Sequence, residues 1–171
     1  MERKSELKSI ALVGRPNVGK SRLFNRLLGR RVSIVHDQPG VTRDIVLERL
    51  SDNALLMDTG GMGATAEMTE KIIADATNEQ ANFAIVAADV IVFVVDSQAG
   101  LTALDEEIAS LLRSSGKKVV LAVNKVDLPM HEERAAEFHR LGFRDVVEIS
   151  AEHGYGMDAL VGVLERECGD I

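Results

Sequence analysis

The sequence predicts a three-layer α/β sandwich: a six-stranded, mostly parallel sheet with one antiparallel strand and helices on both faces. Three observations carry that prediction. Short β-rich runs alternate with longer stretches whose apolar residues recur at helical spacing. The run Val90-Ile91-Val92-Phe93-Val94-Val95 is apolar throughout, as expected of a strand covered on both faces. Residues 45–50 and 54–57 flank Ser51-Asp52-Asn53, a turn-forming tripeptide that makes them a hairpin and supplies the antiparallel strand.

In chain order, Ile10-Ala11-Leu12-Val13 is the first strand and leads into a glycine-rich loop. From Lys20 onward Leu23, Leu27 and Leu28 mark a helix, and the hairpin follows. Ile72, Ile73, Ala76, Phe83, Ala84 and Ala87 are expected to share one face of a long helix before the strand at 90–95. Leu104, Ile108, Leu111 and Leu112 fall at i, i+4, i+7 and i+8 on the next helix. Residues 119–123 read as another buried strand, 132–141 as a helix and 146–149 as the last strand. Met157, Leu160, Val161 and Leu164 mark a closing helix. No internal repeat or low-complexity segment interrupts the pattern.

A chain of 171 residues with 46% hydrophobic and 27% charged residues is one globular domain. Residues 1–8 read as a polar tail and 9–171 as the domain. A net charge of −7 argues against a broad basic nucleic-acid surface, and Arg26, Arg30 and Arg31 read as a solvated helix end. No apolar run approaches the roughly twenty residues that span a membrane, and the charged start lacks a signal-peptide core. Cys168 is the single cysteine, so a disulfide framework and a thiol metal cluster are both excluded. His36, His131, His139 and His153 are scattered without metal-ligand spacing. Cytoplasm is the expected location.

Four signatures fall just past predicted strand ends, the edge where such sheets bind ligands. Gly14-Arg15-Pro16-Asn17-Val18-Gly19-Lys20-Ser21 fits the phosphate-loop pattern GxxxxGK[ST]. Glycines at 14 and 19 let the backbone wrap close to phosphates, and the following helix offers free amides and its positive dipole end. Lys20 is placed to bridge β- and γ-phosphates, and the Ser21 hydroxyl to join a magnesium shell. Asp58-Thr59-Gly60-Gly61 closes a strand. There Asp58 would hold magnesium through water, and the Gly61 amide would meet the γ-phosphate in a loop that orders with GTP and relaxes after hydrolysis. Thr42, in Pro39-Gly40-Val41-Thr42-Arg43-Asp44, lies where a first mobile switch belongs and could sense both magnesium and the γ-phosphate. Arg43 is read as a salt-bridged or solvated side chain rather than an arginine finger.

Asn124-Lys125-Val126-Asp127 selects the base. The Asp127 carboxylate can accept from guanine N1 and the exocyclic amine, whereas adenine would leave it desolvated and unpaired. Sites of this kind reject the wrong ligand by roughly 10⁴-fold or more. Asn124 would brace the loop, the Lys125 stem would lie over the base plane, and in Ser150-Ala151 the Ala151 amide suits guanine O6. Phosphate loop and Asn-Lys-x-Asp together, in this order, point to GTP, and disfavour a P-loop ATPase or a small-molecule kinase.

These residues resemble the translation-factor-type GTPases and, more narrowly, the Der (EngA) family. Asp58-Thr59-Gly60-Gly61, Gly100-Leu101-Thr102 with Asp105-Glu106-Glu107-Ile108, and Ile149-Ser150-Ala151-Glu152-His153-Gly154 carry the narrower likeness, whereas Era and MnmE usually have Asp-Thr-Pro-Gly or Asp-Thr-Ala-Gly. The resemblance implies two tandem G domains followed by a KH-like domain, acting in assembly of the large ribosomal subunit. One set of motifs is present, so the chain is expected to be the first G domain of such a protein. The KH-like module that would contact RNA is not in this sequence, and no direct nucleic-acid site is evident.

Two positions separate the site from Ras-like enzymes. Met62 stands where Ras has its water-orienting glutamine, and a thioether cannot place a water. Asn17 occupies the position that in related potassium-stimulated GTPases helps hold K⁺ beside the phosphates. The resemblance therefore implies slow basal hydrolysis, faster in K⁺ than in Na⁺; a nucleotide sensor with negligible turnover is the alternative. Arg22 departs from the family, which usually has Thr or Ser after Lys20-Ser21. Its backbone amide toward the α-phosphate survives, but a side-chain hydroxyl is lost.

Overall fold

The computed structural model describes residues 6–29, 45–60, 69–128 and 131–171. Strand β1 (Lys8–Val13) feeds helix α1 (Lys20–Leu28), and the hairpin β2 (Val46–Arg49) and β3 (Ala54–Asp58) follows. Helix α2 (Glu70–Ala87), strand β4 (Val90–Asp96), helix α3 (Ala103–Ser114) and strand β5 (Lys118–Asn124) continue the alternation. Helix α4 (His131–Ala136) runs into a 3-10 turn at Glu137–Leu141, before strand β6 (Asp145–Glu148) and helix α5 (Met157–Cys168).

The sheet order is β2-β3-β1-β4-β5-β6. Among the named strands of the described residues, only the β2–β3 pair is antiparallel, with Val46 opposite Asp58. Strands β3, β1, β4, β5 and β6 run parallel, Ile10 lying between Leu56 and Val90, and Asp96 beside Asn124. Their carboxyl ends therefore share one edge.

Side-chain alternation along these strands divides the core into two layers. Ile10, Leu12, Leu56, Val92, Val94, Val120 and Ala122 face α1 and α5, which contribute Leu23, Phe24, Leu160 and Leu164. Ala11, Val13, Met57, Ile91, Phe93, Val95, Leu121 and Val123 face α2 and α3, and meet Ala81, Ala84, Ile108, Leu112 and Phe138. β4 is buried at every position, as its uninterrupted apolar run requires.

Three helix details differ from the sequence pattern. In α2 the buried stripe is Ala76, Thr77, Gln80, Ala81 and Ala84, while Ala87 is exposed because the chain leaves the helix there and Ala88 takes the buried place. In α5 Val163, rather than Val161, completes the buried stripe with Leu160, Leu164 and Cys168, which keeps the i, i+3, i+4, i+8 spacing. The helix expected over 132–141 tightens into its 3-10 turn where the Glu137 carboxylate accepts the Leu101 amide at 2.7 Å, while Phe138 and Leu141 are buried.

Cys168 is buried at the end of α5, and burial pushes its thiol up, with Asp89 and Glu167 adding to the effect. Among the described residues no helix is long and apolar enough to cross a membrane.

Candidate nucleotide-binding site

The glycine loop turns at the end of β1. A methyl group on Gly14 would press into the Val94 carbonyl, and one on Gly19 into the Asn124 amide. Gly19 also adopts the left-handed conformation at φ 104°, which a side chain would resist. Helix α1 starts at Lys20 without a side-chain cap, leaving its first amides for an anion.

Lys20 is 6% exposed and donates to the Gly14 carbonyl and, at 2.7 Å, to the Arg15 carbonyl. Burial pulls its ammonium down to about 8; Asp58 opposes that shift and Arg15 adds to it. Asn17 is exposed with a left-handed backbone, and its carbonyl accepts from Lys125 Nζ at 2.8 Å. Val18 is buried, and Pro16 is half-buried at the turn. The Arg15 side chain leaves the site: its Nε meets the fully buried Asp105 carboxylate at 3.0 Å on α3.

Ser21 Oγ donates to Asp58 Oδ2 at 2.9 Å, and the Gly60 amide to Asp58 Oδ1 at 2.9 Å. One hydroxyl and one carboxylate converging beside the Lys20 ammonium make the hard, sparse oxygen set that magnesium accepts, so these residues fit that ion. Thr59, within the Asp58-Thr59-Gly60-Gly61 signature, turns its side chain inward. Its hydroxyl donates to the Leu12 carbonyl at 2.6 Å and lies 3.2 Å from Gln80 Oε1, so it anchors the end of β3 to β1 beside α2. Thr42, Arg43, Gly61 and Met62, with Arg30, Arg31 and His36, lie outside the described residues.

On the base side Asn124 is a brace between loops. Its Nδ2 donates to the Val18 carbonyl at 2.8 Å, and its Oδ1 accepts the Ala151 amide at 3.0 Å. The Ala151 amide expected at guanine O6 thus already has a partner, and an O6 contact requires sharing that hydrogen. Lys125, with φ 66°, stretches from the base loop to the Asn17 carbonyl and to Asp96 Oδ2 at 2.7 Å. Val126 is buried, and its amide ties the loop to Ile149. Asp127 Oδ1 accepts Ser150 Oγ at 2.7 Å, and its Oδ2 accepts Gln98 Nε2 at 3.1 Å. Each oxygen keeps a lone pair for a further donor, so the carboxylate is fixed yet able to accept from a base edge.

Arg22 is exposed and pairs with Glu152 at 3.3 Å. Arg26 is exposed, as expected of a solvated helix end, and its guanidinium also donates to the carbonyls of Ala151 and, at 2.8 Å, Glu152. His153 and Glu152 bring ligand atoms within 4.8 Å of the Asp127 carboxylate, a juxtaposition that sequence spacing did not indicate.

Sequence reasoning also missed Asp96, which orients Lys125 and accepts the Gln98 and Ala99 amides at 2.9 and 3.1 Å. A signal existed: like Asp58, Asp96 is a carboxylate directly closing an apolar run. Gln98 and Gln80 gave no comparable local signal, because each gains its role from residues distant in the chain.

A family model described as 50S ribosome-binding GTPase matches residues 9–125. GTPase Der of Clostridium perfringens (strain SM101 / Type A) is 52% identical over 164 residues, which is 94% of this chain and 37% of that protein. GTPase Der of Alkaliphilus metalliredigens (strain QYMF) is 51% identical over 155 residues, covering 89% and 34%. The chain thus spans about a third of the length of these curated relatives. Among solved structures, a variant of Era from Aquifex aeolicus bound to GDP.AlF4- is 29% identical with TM-score 0.73, over 95% of this chain and 57% of that one. A probable GTP-binding protein engB is 27% identical with TM-score 0.74, over 92% and 97%. With phosphate loop, magnesium-type pair and base loop converging on one sheet edge, the chain belongs to the 50S ribosome-binding GTPase family, as a GTP-binding G domain of the kind found in GTPase Der.

Proposed function

We propose that this domain hydrolyses GTP to GDP and phosphate and serves as a molecular switch in assembly of the large ribosomal subunit, within a cytoplasmic protein that carries a second G domain and a KH-like domain. The observation that carries the catalytic part is the convergence of Lys20, Ser21 and Asp58 at one end of a site whose other end is Asp127. In this reading the α1 amides and Lys20 hold the β- and γ-phosphates, and Asp127 takes guanine N1 and its exocyclic amine. Ser21 and Asp58, with Thr42, would hold magnesium, which supplies charge neutralisation on the phosphates. Gly61 offers its amide to the γ-phosphate, and Asn17 contributes to a K⁺ site. The ribosomal part rests on the likeness to GTPase Der and on the family's description.

Multiple-turnover phosphate release at saturating GTP and magnesium tests the catalytic part. Slow release is expected, faster in KCl than in NaCl, and abolished by Asp58→Asn. Met62, which cannot orient a water, favours the second reading of a sensor that hardly turns over alone. A burst of one phosphate or none, with GDP still bound tightly, would select it.

A further inference from the structure

Arg22 stands two residues after Lys20, in the first turn of the helix that follows the phosphate loop. Glu152 stands two residues after Ser150, in the loop that carries the base-side residues, and its carboxylate lies within 4.8 Å of that of Asp127. Their ion pair spans 3.3 Å between side chains that are 59% and 58% exposed. One turn further along α1, Arg26 holds the carbonyls of Ala151 and Glu152. The helix is therefore stitched to the base loop twice: through Arg26, itself exposed but with its bond to Ala151 part-buried, and through the solvent-facing Arg22.

A nucleotide whose phosphates meet the α1 amides and whose base meets Asp127 runs between the two segments that the Arg22 stitch joins.

We propose that Arg22 and Glu152 form a salt-sensitive clasp between α1 and the base loop that sets how long a guanine nucleotide stays bound. The inference rests on the nucleotide placement proposed above. An exposed pair has a modest effect, so the expected change is about threefold in dissociation rate, not a loss of binding.

Stopped-flow release of a fluorescent GDP analogue from the whole chain tests it. Arg22→Gln and Glu152→Gln should each release about three times faster, and the double variant no faster than either single one. The charge swap, Arg22→Glu with Glu152→Arg, should return most of the wild-type lifetime. Wild-type release should quicken more steeply from low to high NaCl than release from the neutral variants, and approach their rate at high salt. Unchanged rates, multiplicative effects in the double variant, or a swap as fast as the singles would overturn the clasp while leaving the nucleotide site standing. A wild-type chain that fails to retain the analogue at all would overturn both.

Discussion

Lys20 is a charge kept where water cannot solvate it well, and its two backbone carbonyls are weaker partners than a triphosphate. Its folded value of about 8 lies below the ordinary 10.5, so the unfolded chain holds this proton more firmly than the folded one. The penalty is fully present below about pH 8, and the empty domain gains stability as pH climbs from there toward 10.5. Lys20→Met should therefore stabilise the nucleotide-free domain at pH 7, by roughly 1–3 kcal/mol in urea unfolding, while removing GDP binding. In the wild-type chain, phosphates select the charged amine. GDP affinity measured by calorimetry should be flat below pH 8 and fall above it, approaching tenfold per pH unit.

Helix α3 shows how one element serves both folding and the site. Thr102 caps it, accepting the Asp105 amide at 3.1 Å, and Asp105 returns an acceptor to the Thr102 amide at 3.1 Å. The other Asp105 oxygen holds Arg15 of the phosphate loop. Thr102→Ala loses only the cap, about 1 kcal/mol in urea unfolding, and should leave GDP affinity within about twofold. Asp105→Ala also strands the Arg15 guanidinium in a largely buried place. It should cost roughly 2–4 kcal/mol and weaken GDP binding more than Thr102→Ala does. Equal effects of the two substitutions on affinity would show that the ion pair does nothing for the loop.

At the scale of the whole molecule, the three-layer sheet was legible because β4 and β5 are apolar at nearly every position and the hairpin announces itself by Ser51-Asp52-Asn53. The phosphate and base signatures were equally plain, since each is a contiguous run at a strand end. Partnerships across the site were not legible. Asn124 meets Val18 and Ala151, and Gln98 meets Asp127, over separations that periodicity does not encode. The inward turn of Thr59 was not legible for a related reason: its motif lies at the ligand edge, while its hydroxyl meets Leu12 and Gln80, far away in the chain. The interlocked loops mean that binding should stabilise the entire fold rather than one segment. GDP at about 100 times its Kd adds about 2.7 kcal/mol, which raises Tm by roughly 5–10 °C in a scanning measurement, whereas ADP at the same concentration should leave Tm unchanged.

The lone sulfhydryl at the end of α5 then becomes a built-in clock. Packed away from solvent and reluctant to ionise, Cys168 should resist maleimide in the intact protein and react only when the C-terminal helix lifts from the sheet. Its labelling rate would count opening events, and adding GDP should slow that count even though the reporter lies at the far end of the helix from the loop that reads the base.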